Sequence, residues 1–316
     1  MKEIWTMGET ICEIMRPEVD MPLERTGEFT GPFPSGAPAI FADTVAKMGY
    51  VSGIIGRVGA DEFGVCIRKR LEEDRVNCSL LSTDPILSTG VAFVSYDRNG
   101  ERKFIFHMGN SAAGNLSVPK KLPENVGLFH IMGCSLTSSK KMAESILQTM
   151  KALYEAGAVI TFDPNVRIEI LKEIDLMSSV LPILEYSSVF MPGLHELLTI
   201  FETESMDQAI DQVFQYPNIK VLVLKQGKKG AQIITRESHF DIPICKVRAK
   251  DPTGAGDSFD AAFLCGYLSG LPLETCARQA SAAAALNTAA FGPMEGIITP
   301  GRVSDLIHQN YEVRSI

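Results

Sequence analysis

Apolar and polar positions along the chain follow two periods, one near 3.6 residues and one near 2, and from about residue 37 these periods alternate. Residues 37–48 form an apolar-rich helical stretch ended by Gly49, and 51–58 follow as a strand-like run. Asp61 stands where a helix cap belongs; beyond it Phe63, Ile67 and Leu71 recur at i, i+4 and i+8, one face of the next helix. Ser138 or Ser139 can cap a further helix, with Met142, Ile146, Met150 and Leu153 on one face and Gly157 as its stop. Strand-like runs come at 158–162, 188–191 and 220–224, and helical stretches at 255–269 and 273–290 close the main body. Within the last, the small residues 282–285 suit close packing or a flat ligand. This alternation predicts an α/β fold built on a mostly parallel central sheet with crossover helices.

Two segments break the alternation. Residues 10–33 and 85–108 are β-rich with turn chemistry, and Asp97-Arg98-Asn99-Gly100 separates 91–96 from 103–106 as a hairpin. Though distant in sequence, they can pair into a small sheet outside the main one.

Composition narrows the class. The chain has 316 residues, 45% hydrophobic and 22% charged, enough to bury a sizeable core and unlike a disordered chain. A net charge of −8 with no basic stripe argues against a nucleic-acid surface. The clusters Arg68-Lys69-Arg70 and Lys228-Lys229 are short and read as solvated faces. Seven scattered cysteines without CxxC spacing read as free thiols of a reducing cytoplasm, and five histidines show no metal-ligand spacing. No apolar run reaches membrane-spanning length and no signal-peptide core follows Met1, so the expected location is cytoplasmic, with no membrane partner.

The most informative run is Asp251-Pro252-Thr253-Gly254-Ala255-Gly256-Asp257, a small-residue turn leading straight into an apolar helix. The first amides of a helix lack an acceptor within it and lie at the positive end of its dipole, so such a turn can seat a phosphoryl group. Asp257 falls in the first turn, where a carboxylate can take the proton of a substrate hydroxyl. An anion seat at Gly254, Ala255 and Gly256 beside that carboxylate suggests phosphoryl transfer to an alcohol. The plainer alternative is a glycine-rich loop whose small residues serve packing alone. A second run, Asp163-Pro164-Asn165-Val166-Arg167, follows the strand-like 158–162 and so lies at a strand's carboxyl end, where open α/β sheets bind ligands. Its plainer alternative is an Asx turn with an exposed arginine. No Walker A sequence and no protein-kinase signature set occurs, which leaves the phosphate grip to residues 254–257.

These runs resemble the signatures of the ribokinase-like (PfkB) carbohydrate kinase family, with the Gly-Ala-Gly-Asp core strongest and the resemblance spanning essentially the whole chain. The motifs are most similar to those of fructokinase-like and 2-keto-3-deoxygluconate-kinase-like members. The resemblance implies one ribokinase-like domain over 1–316, with helices on both faces of the main sheet. It also implies a lid from 10–33 and 85–108 that covers the sugar and forms a homodimer contact.

By the same resemblance the protein is an ATP- and Mg²⁺-dependent sugar kinase. Asp257 acts as base, the 254–256 amides hold the moving phosphoryl group, and Arg167 offsets its charge. Lys225, Gly227 and Gly230, in the loop after 220–224, fall on the nucleotide side with Thr253 and with Ser281, which stands where Asn is frequent. Glu13, Gly36, Ala37, Asp163, Asn165, Arg167 and Asp257 are implied at the acceptor. Glu196 is implied at magnesium through water, and a monovalent cation near Asp251.

Several positions depart from the family. Ser35 and Ile40 replace a Gly and an Asn of the N-terminal signature, Gly193 replaces the usual Asn before Glu196, and Phe106-His107-Met108 replaces a Tyr-Arg pair of sugar-acid kinases. A ketohexose and a 2-keto-3-deoxy sugar acid both stay open as acceptors. A nucleoside kinase of the same fold and a non-catalytic sugar or nucleotide sensor are the rival readings.

Overall fold

The computed structural model of the chain describes residues 2–98, 101–165 and 176–312. Its main sheet holds β1 (Glu3–Met7), β4 (Ser52–Gly59), β5 (Asn77–Asp84), β8 (Val126–Met132), β9 (Val159–Asp163), β10 (Ser187–Phe190), β11 (Val221–Lys225), β12 (Ala231–Ile234) and β13 (His239–Ile242). The strand order is β13-β12-β11-β10-β9-β8-β1-β4-β5. Pairing is parallel from β11 to β5 and antiparallel only at the β11-β12-β13 end. The smaller sheet joins β2 (Ile11–Met15), β3 (Thr30–Ser35), β6 (Gly90–Tyr96) and β7 (Arg102–His107) in the order β3-β2-β6-β7. It thus unites the two segments that broke the sequence pattern. The helices are α1 (Ala37–Lys47), α2 (Glu62–Glu73), α3 (Gly133–Leu136), α4 (Lys140–Glu155), α5 (Leu176–Leu184), α6 (Leu194–Ile200), α7 (Met206–Val213), α8 (Ala255–Leu268), α9 (Leu273–Thr288) and α10 (Pro300–Ile307).

Local chemistry accounts for the element boundaries. The Asp61 carboxylate accepts the Gly64 N–H and caps α2, and the Ser139 hydroxyl accepts the Met142 N–H and caps α4. Strand side chains alternate between two cores. Ile4, Leu128, Val189 and Val223 pack with Phe41 of α1, Phe263 of α8 and Ala280 of α9. Trp5, Phe129, Phe190 and Leu222 pack on the other side with Met142, Ile146, Met150 and Leu153 of α4. A sheet covered on both faces needs strands that are apolar throughout, as these are. Residues 282–285 lie in the first of these cores, with Ala282 and Ala283 fully buried, so the alanine run serves helix packing.

Residues 16–29, inside the segment expected to be β-rich, instead form a loop held from within by the buried Arg16. Its guanidinium donates to the carbonyls of Glu28 (3.0 Å), Pro22 (3.3 Å) and Arg25. Three carbonyls and one fork of N–H donors do here what a strand ladder does elsewhere. A second polar knot fastens α1 and α2 to the 291–296 loop. Lys47 pairs with Asp43 at 2.7 Å and donates to Met294 O at 2.7 Å, while Arg70 pairs with Asp74 at 2.6 Å and Glu295 at 2.8 Å.

His130 on β8 is fully buried, stacked on Phe41 at 4.3 Å, with Nδ1 2.8 Å from Thr161 Oγ1. Burial drives its pKa down from 6.5 to about 3. The unfolded chain therefore binds a proton between those values that the folded chain refuses, and stability drops as pH falls below 6.5. Over that window the loss attributable to His130 is about 1.4 kcal/mol per pH unit. Urea unfolding of wild type and His130→Gln at pH 7 and pH 5 checks this: the variant has the shallower dependence, and parallel dependences contradict it.

Candidate active site

Gly254, whose φ of 76° is left-handed, is the N-cap of α8. A Cβ there would stand 2.5 Å from Pro293 O and 2.9 Å from Asn287 Nδ2, so both conformation and space demand glycine. The turn is braced from behind. The Asp251 carboxylate accepts N–H groups from Thr253 and Gly292, each at 2.9 Å, and Asn287 Nδ2 donates to Thr253 O at 2.8 Å. At Gly256 the only atom near a would-be Cβ is Lys225 Nζ, at 4.0 Å. Small size there keeps open a space between a first-turn amide and an ammonium group.

That ammonium is part of a buried triad. Lys225 Nζ, at the end of β11, lies 2.8 Å from Asp163 Oδ2 at the end of β9 and 2.9 Å from Asp260 Oδ2 one turn into α8. Burial alone would lower the Lys225 pKa, but the charges of Asp163 and Asp260 outweigh it and raise it. Burial also opposes ionisation of Asp163, yet the Lys225 charge holds that carboxyl below its usual range, while Asp260, burdened by burial and by Asp163, moves well above it. One ammonium thus balances one negative charge shared by the two carboxyls, with Asp260 pushed toward the neutral form and Asp163 toward the ionised one.

Asp257 lies 5% exposed in the first turn of α8, and its Oδ1 accepts a 3.0 Å hydrogen bond from Asn165 Nδ2. Asn165 adopts a left-handed φ of 39°, and its own N–H donates to Asp163 Oδ1 at 3.1 Å. The Asp163-Pro164-Asn165 turn therefore aims an amide at Asp257 from one side and grips Lys225 from the other.

Above Asp257 a cleft opens between the α8 start and the inner face of the small sheet. Its walls include Glu9, Glu13, Gly36, Ala37, Ile40, Arg102, Phe104, Phe106, Met108, Thr253 and Gly254. Glu13 Oε1 accepts from the Ser35 hydroxyl at 2.7 Å, and Glu9 accepts from Ser135 Oγ and from Cys134 Sγ at 3.1 Å.

A family model described as pfkB family carbohydrate kinase matches residues 1–300. The chain belongs to that family. This pfkB kinase is a carbohydrate phosphotransferase with the ribokinase-like α/β fold. It is 30% identical over 303 residues to the fructokinase of Klebsiella pneumoniae, covering 93% of this chain and 96% of that one. Among solved structures, an E. coli protein provisionally designated ribokinase II, in complex with ATP and Mg²⁺, superposes with a TM-score of 0.91. Its identity is 34%, over 98% of this chain and 100% of that one. A double mutant of the fructokinase from Vibrio cholerae O395, bound to fructose, ADP and potassium ion, gives a TM-score of 0.85 at 25% identity, covering 97% and 98% of the two chains.

In this pfkB kinase the residues expected from sequence fall into three groups. Glu13, Gly36, Ala37, Thr253, Gly254 and Asp257 share the cleft, with Ala255 and Gly256 in the helix turn beside it. The Ala255 N–H, expected to face an anion, donates to Pro252 O at 3.3 Å, which moves the seat toward Gly256.

Asp163 and Asn165 are not among the residues lining the cleft: Asp163 anchors Lys225, and Asn165 donates to Asp257 from beside it. Lys225, expected on the nucleotide side, brings its ammonium to the first turn of α8, 4.0 Å from a would-be Cβ at Gly256. Gly227 and Gly230 bound the short 3₁₀ turn joining β11 to β12.

The third group lies outside the cleft and hydrogen-bonds within the fold. The Ser281 hydroxyl accepts the Cys245 N–H at 2.9 Å and donates to Pro243 O at 3.0 Å, tying α9 to the 243–245 segment. Glu196 Oε2 accepts the Gly193 N–H at 2.7 Å and caps α6. Among the described residues no cluster of three His, Cys, Asp or Glu side chains could hold a metal ion. Arg167 lies outside the described residues.

Sequence reasoning gave no role to Arg102 and Phe104. Their signal was the hairpin register: Tyr96 pairs with Arg102, so alternation puts Arg102, Phe104 and Phe106 on one face of β7.

Proposed function

We propose that this pfkB kinase transfers the γ-phosphoryl group of Mg²⁺-bound ATP to a hydroxyl of a neutral ketohexose, within one ribokinase-like domain whose small sheet is a lid. The observation that carries the proposal is the Asp257 carboxylate, held by Asn165 in the first turn of α8 at the base of a cleft lined by Glu9 and Glu13. An acceptor hydroxyl facing Asp257 gives up its proton there as the phosphoryl group arrives. The Gly256 amide and the Lys225 ammonium lie where charge develops, and such fixed groups stabilise a loose transition state without reorganising.

Three carboxylates, Glu9, Glu13 and Asp257, face one cationic wall residue, Arg102, among the described residues. Hydroxyls donate to carboxylates, whereas an anionic sugar acid would meet like charges at close range. This favours the ketohexose over the 2-keto-3-deoxy sugar acid.

With no preformed metal cage among the described residues, magnesium fits as a companion of the triphosphate that keeps most of its waters, with Glu196 reaching it through one. A monovalent cation near Asp251 would be held by carbonyls, because that carboxylate already takes two N–H groups. Arg167, by its motif, would offset charge on the phosphoryl group. The outward face of the lid exposes Ile105 and Phe29, which suits a homodimer contact. No helix of the described residues is long and apolar enough to cross a membrane. Seven free thiols fit a reducing cytoplasm.

The test is ADP formation across neutral ketohexoses, 2-keto-3-deoxy sugar acids and nucleosides. A ketohexose gives the highest kcat/KM, and Glu13→Gln lowers that value about 10- to 100-fold through the loss of a charged acceptor. Preference for an acid or a nucleoside overturns the substrate assignment. Nucleotide binding without turnover on any acceptor would indicate a sensor.

A further inference from the structure

We propose that Tyr96 is a positioning residue that couples closure of the lid over the acceptor to the geometry of the phosphate-binding turn, an inference that rests on the kinase reading above. Tyr96 is the last residue of β6, at the tip of the lid hairpin. Its ring is buried near Phe291 (centroids 6.3 Å apart), which in turn meets Phe33 of β3 at 5.9 Å. Its hydroxyl stands 3.1 Å from Asp251 Oδ1 and 3.1 Å from Thr253 Oγ1.

Donor accounting fixes the direction of both bonds. Both Asp251 oxygens already accept N–H groups, so that carboxylate accepts the phenol proton as well and the Thr253 hydroxyl donates to the phenol oxygen. Burial and the Asp251 charge both raise the phenol pKa, which keeps that proton in place.

Asp251 is thereby the meeting point of three segments: the lid through Tyr96, the anion turn through the Thr253 N–H, and the 291–294 loop through the Gly292 N–H. Thr253 and Gly254 line the acceptor cleft and lead directly into the first turn of α8, whereas Tyr96 touches neither cleft nor turn amide. A phenylalanine would fill the apolar site between Phe291 and β2 equally well. What the hydroxyl adds is a polar bond from a lid strand to the segment that presents the amides to the phosphoryl group. Lid and turn can reach their working positions together only if each stabilises the other, which is a coupling free energy between two binding sites.

The experiment compares wild type with Tyr96→Phe, which keeps the ring. Three quantities are measured: amide hydrogen exchange of residues 252–256 without ligand, kcat and KM with ketohexose and ATP, and affinity for a non-hydrolysable ATP analogue with and without ketohexose. In the variant, exchange at 252–256 rises while the melting temperature stays near wild type. The tightening of nucleotide binding by the sugar is lost, and kcat falls about tenfold with little change in ketohexose KM. Wild-type exchange and wild-type linkage in the variant overturn the proposal. So does a lowered melting temperature with kcat and linkage unchanged, which marks Tyr96 as packing alone. If neither protein phosphorylates a ketohexose yet exchange at 252–256 still rises in the variant, the bond to the turn is upheld and the substrate assignment is what fails.

Discussion

Replacing Asp257 by Asn lowers kcat about 10²- to 10⁴-fold, the range for loss of a general base, while nucleotide affinity holds or improves. The substitution is nearly isosteric. An Asn carbonyl can still accept the Asn165 Nδ2 bond that Asp257 Oδ1 accepts at 3.0 Å, so the fold of the first turn survives. Only the charge is lost. That charge stands in the turn that receives a phosphoryl group, and removing it relieves repulsion toward ATP even as it strips the acceptor hydroxyl of its proton sink. Steady-state kinetics with isothermal titration of ATP separates the two effects. A variant retaining near-wild-type kcat would remove Asp257 from the chemistry, and one that lost ATP binding in parallel would give it a structural role instead.

The second large effect comes from Lys225. In Lys225→Met the Asp163 carboxylate, 2% exposed, loses the ammonium at 2.8 Å that keeps it ionised, and the completely buried Asp260 loses its partner at 2.9 Å. Removing one member of a buried ion pair costs about 3–5 kcal/mol, a large share of the roughly 5–15 kcal/mol that holds a domain together. Without the ammonium the two carboxyls share a negative charge that nothing balances. Adding Asp163→Asn to Lys225→Met removes the carboxyl that is held toward the ionised form and recovers more of the loss than adding Asp260→Asn, whose carboxyl is already pushed toward the neutral form. Urea unfolding of the single and paired variants reads this as a double-mutant cycle. A loss below about 1 kcal/mol in the single variant, the level of an exposed pair, would show that the triad is not the charge balance described here.

Much of this molecule can be read in its sequence, and the legible parts are those set by neighbours along the chain. Asp61 and Ser139 announce their helices because a cap is a contact three residues long. The turn at Gly254 is legible because only glycine fits its left-handed backbone, and the lid hairpin because turn residues separate two alternating runs.

What stayed hidden depends on pairing across the sheet. Nothing near Lys225 in sequence says that β9 and α8 will each bring it a carboxylate, and the motif containing Asp163 suggests a ligand contact instead. One trace was available: Asp260 is an ionisable residue between Phe259 and Ala261 in a mostly apolar helix, and a buried ionisable group requires a partner. Likewise Ser281 stands where a ligand contact was inferred by resemblance, but its small hydroxyl is taken up by the backbone at Pro243 and Cys245 once α9 packs on β13. The link from Tyr96 to Asp251 is of the same kind, joining segments that only the closed fold brings together.

A crystal structure with Mg²⁺-ADP, aluminium fluoride and a ketohexose bears on all of this at once. The fluoride group is expected between the Gly256 amide and Lys225 Nζ, with a sugar oxygen within about 3 Å of the Asp257 carboxylate and in line with the ADP oxygen. A fluoride group seated away from the start of α8, or an Asp257 carboxylate turned from the sugar, would contradict it.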